Sequence, residues 1–212
     1  EGPATNPRVT GVSDGVVRVT NSFAVVVTDV NGAPSFTASP TNTTVAEGSL
    51  LTVTNSATDS DLPAQLLSYQ LLGGSGDATI SAAGVITWTP GENEGPGTNT
   101  LVTVVSDGVV SVTNSFAVVV TEVNVVPSFT ASPTNTTVAE GSLVTVTNNA
   151  TDSDVPAQVL SYQLLGGSGD ATISAAGVIT WPPGESEGPG TNTLVTVVSD
   201  GVVSVTNSFA VV

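Results

Sequence analysis

Acidic residues recur in this chain as a set with a fixed spacing. Glu47, the pair Asp59 and Asp61, the pair Glu92 and Glu94, and Asp107 return 93 residues later as Glu140, Asp152 and Asp154, Glu185 and Glu187, and Asp200. Asp29 and Glu122 stand at the same spacing, each two residues before an Asn, Asn31 or Asn124. Gathered carboxylates can move protons or hold cations. Here 18 acids face only Arg8 and Arg18, for a net charge of −16. Crowded carboxylates repel strongly without counter-charge, so a cation is the expected complement. The chain has no His and no Cys, the ligands zinc favours. Magnesium prefers smaller, wetter octahedral sites, whereas calcium accepts six to eight oxygens in flexible geometry. Calcium is the ion this set fits.

Acid–base catalysis is the competing use. Glu92 and Glu94 could act as general acid and base on a glycoside, but they lie two residues apart in a Pro-Gly loop, and the pair recurs in the next copy. With His, Cys and Lys absent, the usual activated nucleophiles are missing too. The chain is read as a non-enzyme. Nucleic-acid binding needs basic surface to displace counterions, and two arginines do not provide it. An anionic membrane surface repels such a chain, and no apolar run is long enough to span a bilayer. The absence of Cys rules out a disulfide framework, and the absence of Lys rules out a Lys–Asn isopeptide staple.

The elements that carry the acids come from a repeat. Thr41-Asn42-Thr43-Thr44-Val45-Ala46-Glu47-Gly48 returns as Thr134-Asn135-Thr136-Thr137-Val138-Ala139-Glu140-Gly141, and Ser-Asp-Gly begins at Ser13, Ser106 and Ser199. A fixed period of this kind marks an array of similar units. Residues 31–123 are expected to form one complete repeat and 124–212 a second, nearly complete one. Glu1-Gly2-Pro3 matches Glu94-Gly95-Pro96, so residues 1–30 are expected to be the C-terminal part of a truncated repeat, and the chain a window on a longer array.

Within 31–123, Val and Thr dominate, and both favour strands. Strands are expected at Val45–Gly48, Leu50–Thr54, Leu66–Leu72, Ala78–Ile80, Val85–Trp88, Thr98–Ser106 and Val109–Glu122. Thr58–Pro63 and Pro90–Pro96 read as loops, and Gly73–Asp77 as a turn. Asp107-Gly108 between two alternating runs is a strong hairpin signal. On the second run Val110, Val112, Phe116, Val118 and Val120 share a face. The expectation is all-β: tandem seven-stranded Greek-key β-sandwich domains of Ig or cadherin type in a linear array.

On such a sandwich the linker, the Asp-x-Asp loop and the final hairpin turn lie at one end. The turn after the first strand, the Pro-Gly loop and the exit linker lie at the other. Stacking units therefore gathers every acid except Asp77 and its copy Asp170 around a joint. One junction is expected to use Glu1, Asp29, Asn31, Asp59, Asp61 and Asp107. A second is expected to use Glu47, Glu92, Glu94, Glu122, Asn124, Asp152, Asp154 and Asp200. Glu140, Glu185 and Glu187 await a third. With seven carboxylates at the second junction, two or three calcium ions per junction are expected.

These residues resemble cadherin and bacterial cadherin-like repeats. The first-turn acids Glu47 and Glu140, the late-loop pairs Glu92 with Glu94 and Glu185 with Glu187, the linkers Asp29-Val30-Asn31 and Glu122-Val123-Asn124, and the Asp-x-Asp loops all fit that pattern. The run Gly84-Val85-Ile86-Thr87-Trp88-Thr89-Pro90 also looks like the dystroglycan-type cadherin-like and Ig repeats of bacterial surface proteins. The resemblance implies interdomain calcium and an adhesive or scaffolding role outside the cell. Gly32-Ala33 and Val125-Val126 stand where animal cadherins carry a second acidic pair, a departure that implies one weak or missing calcium site.

The functional expectation is an extracellular, calcium-rigidified rod belonging to an adhesin stalk or a surface fibre. Its partners are neighbouring repeats of the same chain and, in a fibre, identical chains. The alternative is a carbohydrate-binding surface module that stacks sugars on Trp88 and Trp181, although a lone Trp on a short strand is more often core.

Overall fold

The computed structural model of the chain describes residues 4–74, 76–167 and 169–212. Every regular element in them is a strand, as the β-branched composition requires. The chain forms two compact units, Glu1–Thr121 and Glu122–Val212.

The first two strands, β1 (Ala4–Ser13) and β2 (Arg18–Val27), form an antiparallel hairpin in register from Ala4↔Val27 to Ser13↔Arg18. Its turn carries Gly15 at φ 95°, the left-handed region that suits glycine. The hairpin departs from its later copies. Arg8 stands where Leu101 and Leu194 are fully buried, and Gly11 stands where the copies have Val104 and Val197. Arg18 lies over Gly11, so that a Cβ there would come 2.7 Å from Nε.

Next come β3 (Ser35–Ala38), β4 (Thr43–Ala46), β5 (Leu51–Thr54), β6 (Ser56–Thr58), β7 (Ser68–Leu72), β8 (Thr79–Ile80), β9 (Val85–Trp88), β10 (Gly97–Ser106) and β11 (Ser111–Thr121). They form sheets ordered β4-β11-β10-β7, β5-β9-β8 and β3-β6. All pairings are antiparallel except β4 with β11. These nine segments make seven strands, because two are interrupted. The first divides into β3 and β4 around Pro40 and serves both faces of the sandwich. The second is broken between β5 and β6 at Asn55.

Neither β3 nor β6 is legible as a strand in the sequence, and β7 starts two residues later than expected. Asn55 explains the second break. Its side chain is 1% exposed; Nδ2 donates to the Gly84 carbonyl at 3.2 Å, and Oδ1 accepts from Thr103 Oγ1 at 3.0 Å. The side chain replaces ladder bonds and ties one sheet to the other, which satisfies a buried amide. Gly84 must be glycine here, since its φ is 78° and a Cβ would meet the Asn55 carbonyl oxygen at 2.5 Å.

The core is the alternating inward face. Leu51, Ile86, Trp88, Leu101, Phe116, Val118 and Val120 form one buried cluster. The second unit repeats it with β12 (Ser128–Ala131), β13 (Val144–Thr147), β14 (Asn149–Thr151), β15 (Ser161–Leu165), β16 (Thr172–Ile173), β17 (Val178–Trp181), β18 (Asn192–Ser199) and β19 (Ser204–Val211). Its core is Val144, Ile179, Trp181, Leu194, Phe209 and Val211. Asn148 takes the part of Asn55, with Thr196 Oγ1 donating to its Oδ1 at 3.0 Å. Thr136 and Val211 form a single parallel bridge where the first unit pairs β4 with β11.

The tryptophans correct the alternative reading. Trp88 is 1% and Trp181 0% exposed. Trp181 borders a cavity of about 300 Å³, but a ring must present its face to stack on a sugar, and both rings are instead core.

Truncating Leu101 to Ala removes the centre of the first core and should cost about 2–5 kcal/mol of unfolding free energy. Val119→Ala on the outward face should stay within about 0.5 kcal/mol of wild type. Urea denaturation followed by tryptophan fluorescence measures both.

Candidate metal centre

At one end of the first unit the backbone builds an acid-lined loop cluster. Asp61 is placed by its own N–H, which donates to Asp59 Oδ1 at 2.9 Å. Its two oxygens then accept the Gly32 N–H at 3.1 and 2.9 Å, joining the Asp-x-Asp loop to the linker. Asn31 Nδ2 donates to Asp107 Oδ2 at 2.9 Å and to the Gly32 carbonyl at 2.6 Å. Asp107 Oδ1 accepts the Val109 and Val110 N–H groups, each at 2.7 Å, across the β10–β11 turn. Three segments far apart in sequence thus meet through Asn31, Asp59, Asp61 and Asp107.

The second unit repeats the arrangement. Asn124 Nδ2 donates to Asp200 Oδ2 at 2.9 Å, the Val125 N–H to Asp154 Oδ1 at 2.9 Å, and the Asp154 N–H to Asp152 Oδ1 at 3.0 Å. Asp154 is 3% exposed.

Sequence reasoning missed two residues of these networks. Gln65 Nε2 donates to Asn31 Oδ1 at 2.8 Å, and Gln158 Nε2 donates to Asn124 Oδ1 at 3.0 Å and Asp154 Oδ2 at 2.9 Å. The available signal was Pro-Ala-Gln following each Asp-x-Asp loop at the repeat spacing. In each unit the oxygen of this Gln and the second oxygen of the first Asp of the pair (Asp59, Asp152) are buried and receive no hydrogen bond. Two acceptors without donors at one loop cluster suit a cation better than water-filled solvent contact.

At the other end of the first unit, the turn after β4 is tied down twice. The Glu47 N–H donates to the Thr121 carbonyl at 3.1 Å and the Gly48 N–H to the Pro90 carbonyl at 2.8 Å. Glu47, Glu92 and Glu122, the residue after β11, each place a carboxylate oxygen within 4.8 Å of the other two. Glu47 is 6% exposed, and neither of its oxygens receives a hydrogen bond. Gly95 presses on this carboxylate, and a Cβ there would fall on Glu47 Oε1 and Val120 Cγ1. This requirement for Gly95 was also not seen in the sequence.

Some expected ligands have other local roles. Glu94 Oε2 accepts the Gly91 N–H at 2.9 Å, and Glu187 Oε2 accepts the Gly184 N–H at 2.7 Å, so these second members of the pairs cap their own loops. Glu140, Glu185 and Asp29 are exposed on their units, and Glu1 lies outside the described residues.

Hydrogen bonds also set the acidity. The Val110 N–H, and then the Asn31 amide, hold the Asp107 carboxyl below the ordinary aspartate range. For Asp200 the Asn124 amide is the leading cause. Donors to the ionised form stabilise it. Because the folded-state values are lowered, this stability is complete above the ordinary range near about pH 4 and is lost as pH falls through the folded values. Urea denaturation across an acid series should show wild-type stability declining more steeply below that range than the stability of Asp107→Ala or Asp200→Ala.

Comparison with known proteins adds the family context. Residues 31–121 match the bacterial Ig domain. A comparison with curated proteins finds no match. Among solved structures, the chain is similar to Drosophila N-cadherin EC1-4, at 13% identity and a TM-score of 0.55, over 100% of this chain and 58% of that one. It is also similar to human protocadherin-24 EC1-2, at 21% identity and a TM-score of 0.50, over 86% of this chain and 99% of that one. The extracellular domain of protocadherin GammaB4 is 18% identical with a TM-score of 0.47, and the match covers 99% of this chain and 40% of that one. The chain therefore spans less than two thirds of the length of two of these three chains. Residues 31–121 thus resemble the bacterial Ig domain in sequence, and the chain resembles cadherin extracellular domains in fold.

Proposed function

We propose that this chain is a stretch of an extracellular rod whose repeats are joined and stiffened by calcium. Glu47 carries the reading. A carboxylate withdrawn from water needs donors or a cation, and Glu47 is buried with no donor beside Glu92 and Glu122. The surrounding ligands are all oxygen, the set calcium accepts. In this reading Asp152, Asp154 and Asp200 of the following unit complete the junction with Asn124, and Glu94 is the remaining carboxylate of the set. Asp29, Asn31, Asp59, Asp61 and Asp107, with Glu1, serve the preceding junction, and Glu140, Glu185 and Glu187 serve the next. Seven carboxylates at one junction accommodate two or three ions.

The role is mechanical. Without the ion, the carboxylates of facing ends repel and the joint bends. With it, most of the charge is offset and the angle is fixed. Repetition converts a string into a stiff stalk or fibre that holds an adhesin away from a bacterial surface or builds a matrix. The bacterial Ig match and the cadherin-like fold support an extracellular, non-enzymatic setting. Among the described residues no helix is long and apolar enough to cross a membrane.

Calcium titration of the 1–212 chain, read by melting temperature and small-angle scattering, tests this. At free calcium of about 100 times the dissociation constant, a single site that binds only the folded form adds about 2.7 kcal/mol. The melting temperature and the particle length should rise together, and the doubly substituted Asp152→Ala/Asp154→Ala chain should lose both responses. Shape and melting that ignore calcium and chelator alike would reduce the acids to solvating charge.

A further inference from the structure

We propose that Asn31–Gly32 is a spontaneous modification site, an ageing switch in the linker whose rate is set by the hydrogen bonds that Gly32 and Asn31 donate to Asp61 and Asp107. It is the one Asn-Gly pair in the sequence. When glycine follows asparagine, no side chain shields the next backbone nitrogen. That nitrogen can attack the asparagine Cγ, forming the ring C–N bond as the Cγ–Nδ2 bond breaks. The leaving nitrogen takes up the proton released by the attacking nitrogen and departs as ammonia. Water then opens the ring to aspartate or isoaspartate. Water is the only co-reactant.

In the folded unit both reacting groups are held away from this path. The nucleophile, the Gly32 N–H, donates to Asp61 at 3.1 and 2.9 Å. The leaving group, Asn31 Nδ2, donates to Asp107 at 2.9 Å and to the Gly32 carbonyl at 2.6 Å, while Asn31 Oδ1 accepts from Gln65 at 2.8 Å. Ring closure requires the linker to open and release Gly32 from Asp61 and Asn31 from Asp107. The reaction therefore reports local opening.

Conversion is also irreversible in effect. It replaces a donor to Asp107 with a carboxylate facing Asp107, so that an attraction becomes a repulsion, and the isoaspartate product lengthens the backbone as well. The second linker provides an internal control. Asn124 makes the matching bonds to Asp200 and the Val125 carbonyl, and the Val125 N–H donates to Asp154, but Val125 shields its own nitrogen. One linker can age, while the other keeps its chemistry.

The test is to age the 1–212 chain at neutral pH and physiological temperature in chelator, so that no bound cation contributes, and to follow the amide-to-acid mass gain by peptide mapping. Asn31 should convert more slowly than in the free linker peptide Thr28–Pro34. Asp61→Ala should raise its rate roughly ten-fold, the factor set by about 1.4 kcal/mol of lost hydrogen bonding to a charged group. Gly32→Val should stop the reaction, and Asn124 should stay unconverted even in Asp154→Ala.

Wild-type Asn31 converting as fast as the peptide would overturn the proposal. So would an unchanged rate in Asp61→Ala while the fluorescence of the buried tryptophans reports an intact fold. If Asp61→Ala unfolds, Asp107→Ala carries the same comparison, with acceleration expected and an unchanged rate fatal. The proposal does not depend on calcium binding.

Discussion

A carboxylate removed from water must be given donors or a cation, and most of this chain's architecture decides which of the two each acid receives. Asp61, Asp107, Asp154 and Asp200 receive donors. Linker N–H groups, turn N–H groups and the amides of Asn31 and Asn124 converge on them. Glu47 receives none, although it is as buried as Asp107 and Asp200. The loops are shaped by this division. Gly95 has no side chain because Glu47 occupies the space, and the turn after β4 is bonded to both the last strand and the Pro-Gly loop. The sandwich itself is ordinary valine packing. Its ends are where charge, backbone geometry and function meet.

The sandwich was largely readable because its strands obey a simple alternation. Val85–Trp88 was placed to the residue, and the Asp107-Gly108 hairpin was located from its turn dipeptide and the parity of Phe116, Val118 and Val120. The misses have a common physical cause. β3 and β6 are short segments whose pairing depends on a partner distant in sequence, and the break between β5 and β6 is made by a side chain, Asn55, whose partner Thr103 is 48 residues away. Local pattern carries no record of such bonds.

The candidate site was readable to a similar depth. Acid spacing brought Asn31, Asp59, Asp61 and Asp107 to one end, where the structure bonds them together. The contributions of Gln65 and Gln158 were not readable, because an amide in a loop resembles any polar loop residue until its partner is known. Glu94 and Glu187 were grouped with Glu92 and Glu185 on the strength of sequence adjacency. Local geometry separates the pair members, since a carboxylate three residues from a free N–H is more readily spent on its own turn.

Arg8 gives the first hairpin an identity of its own. Arrays of near-identical units risk exchanging strands between neighbours as they fold, and β10–β11 and β18–β19 are interchangeable in every core position they share. The β1–β2 hairpin is not. A guanidinium in the fully buried place of Leu101 would be a charge without a partner among Leu51, Ile86 and Trp88, and Gly74, whose missing side chain leaves room for the Leu101 methyl, offers it no acceptor side chain. A mispaired unit that borrowed this hairpin would be penalised at its centre. Arg8 thus distinguishes the first hairpin from its two copies, which share a leucine at that position.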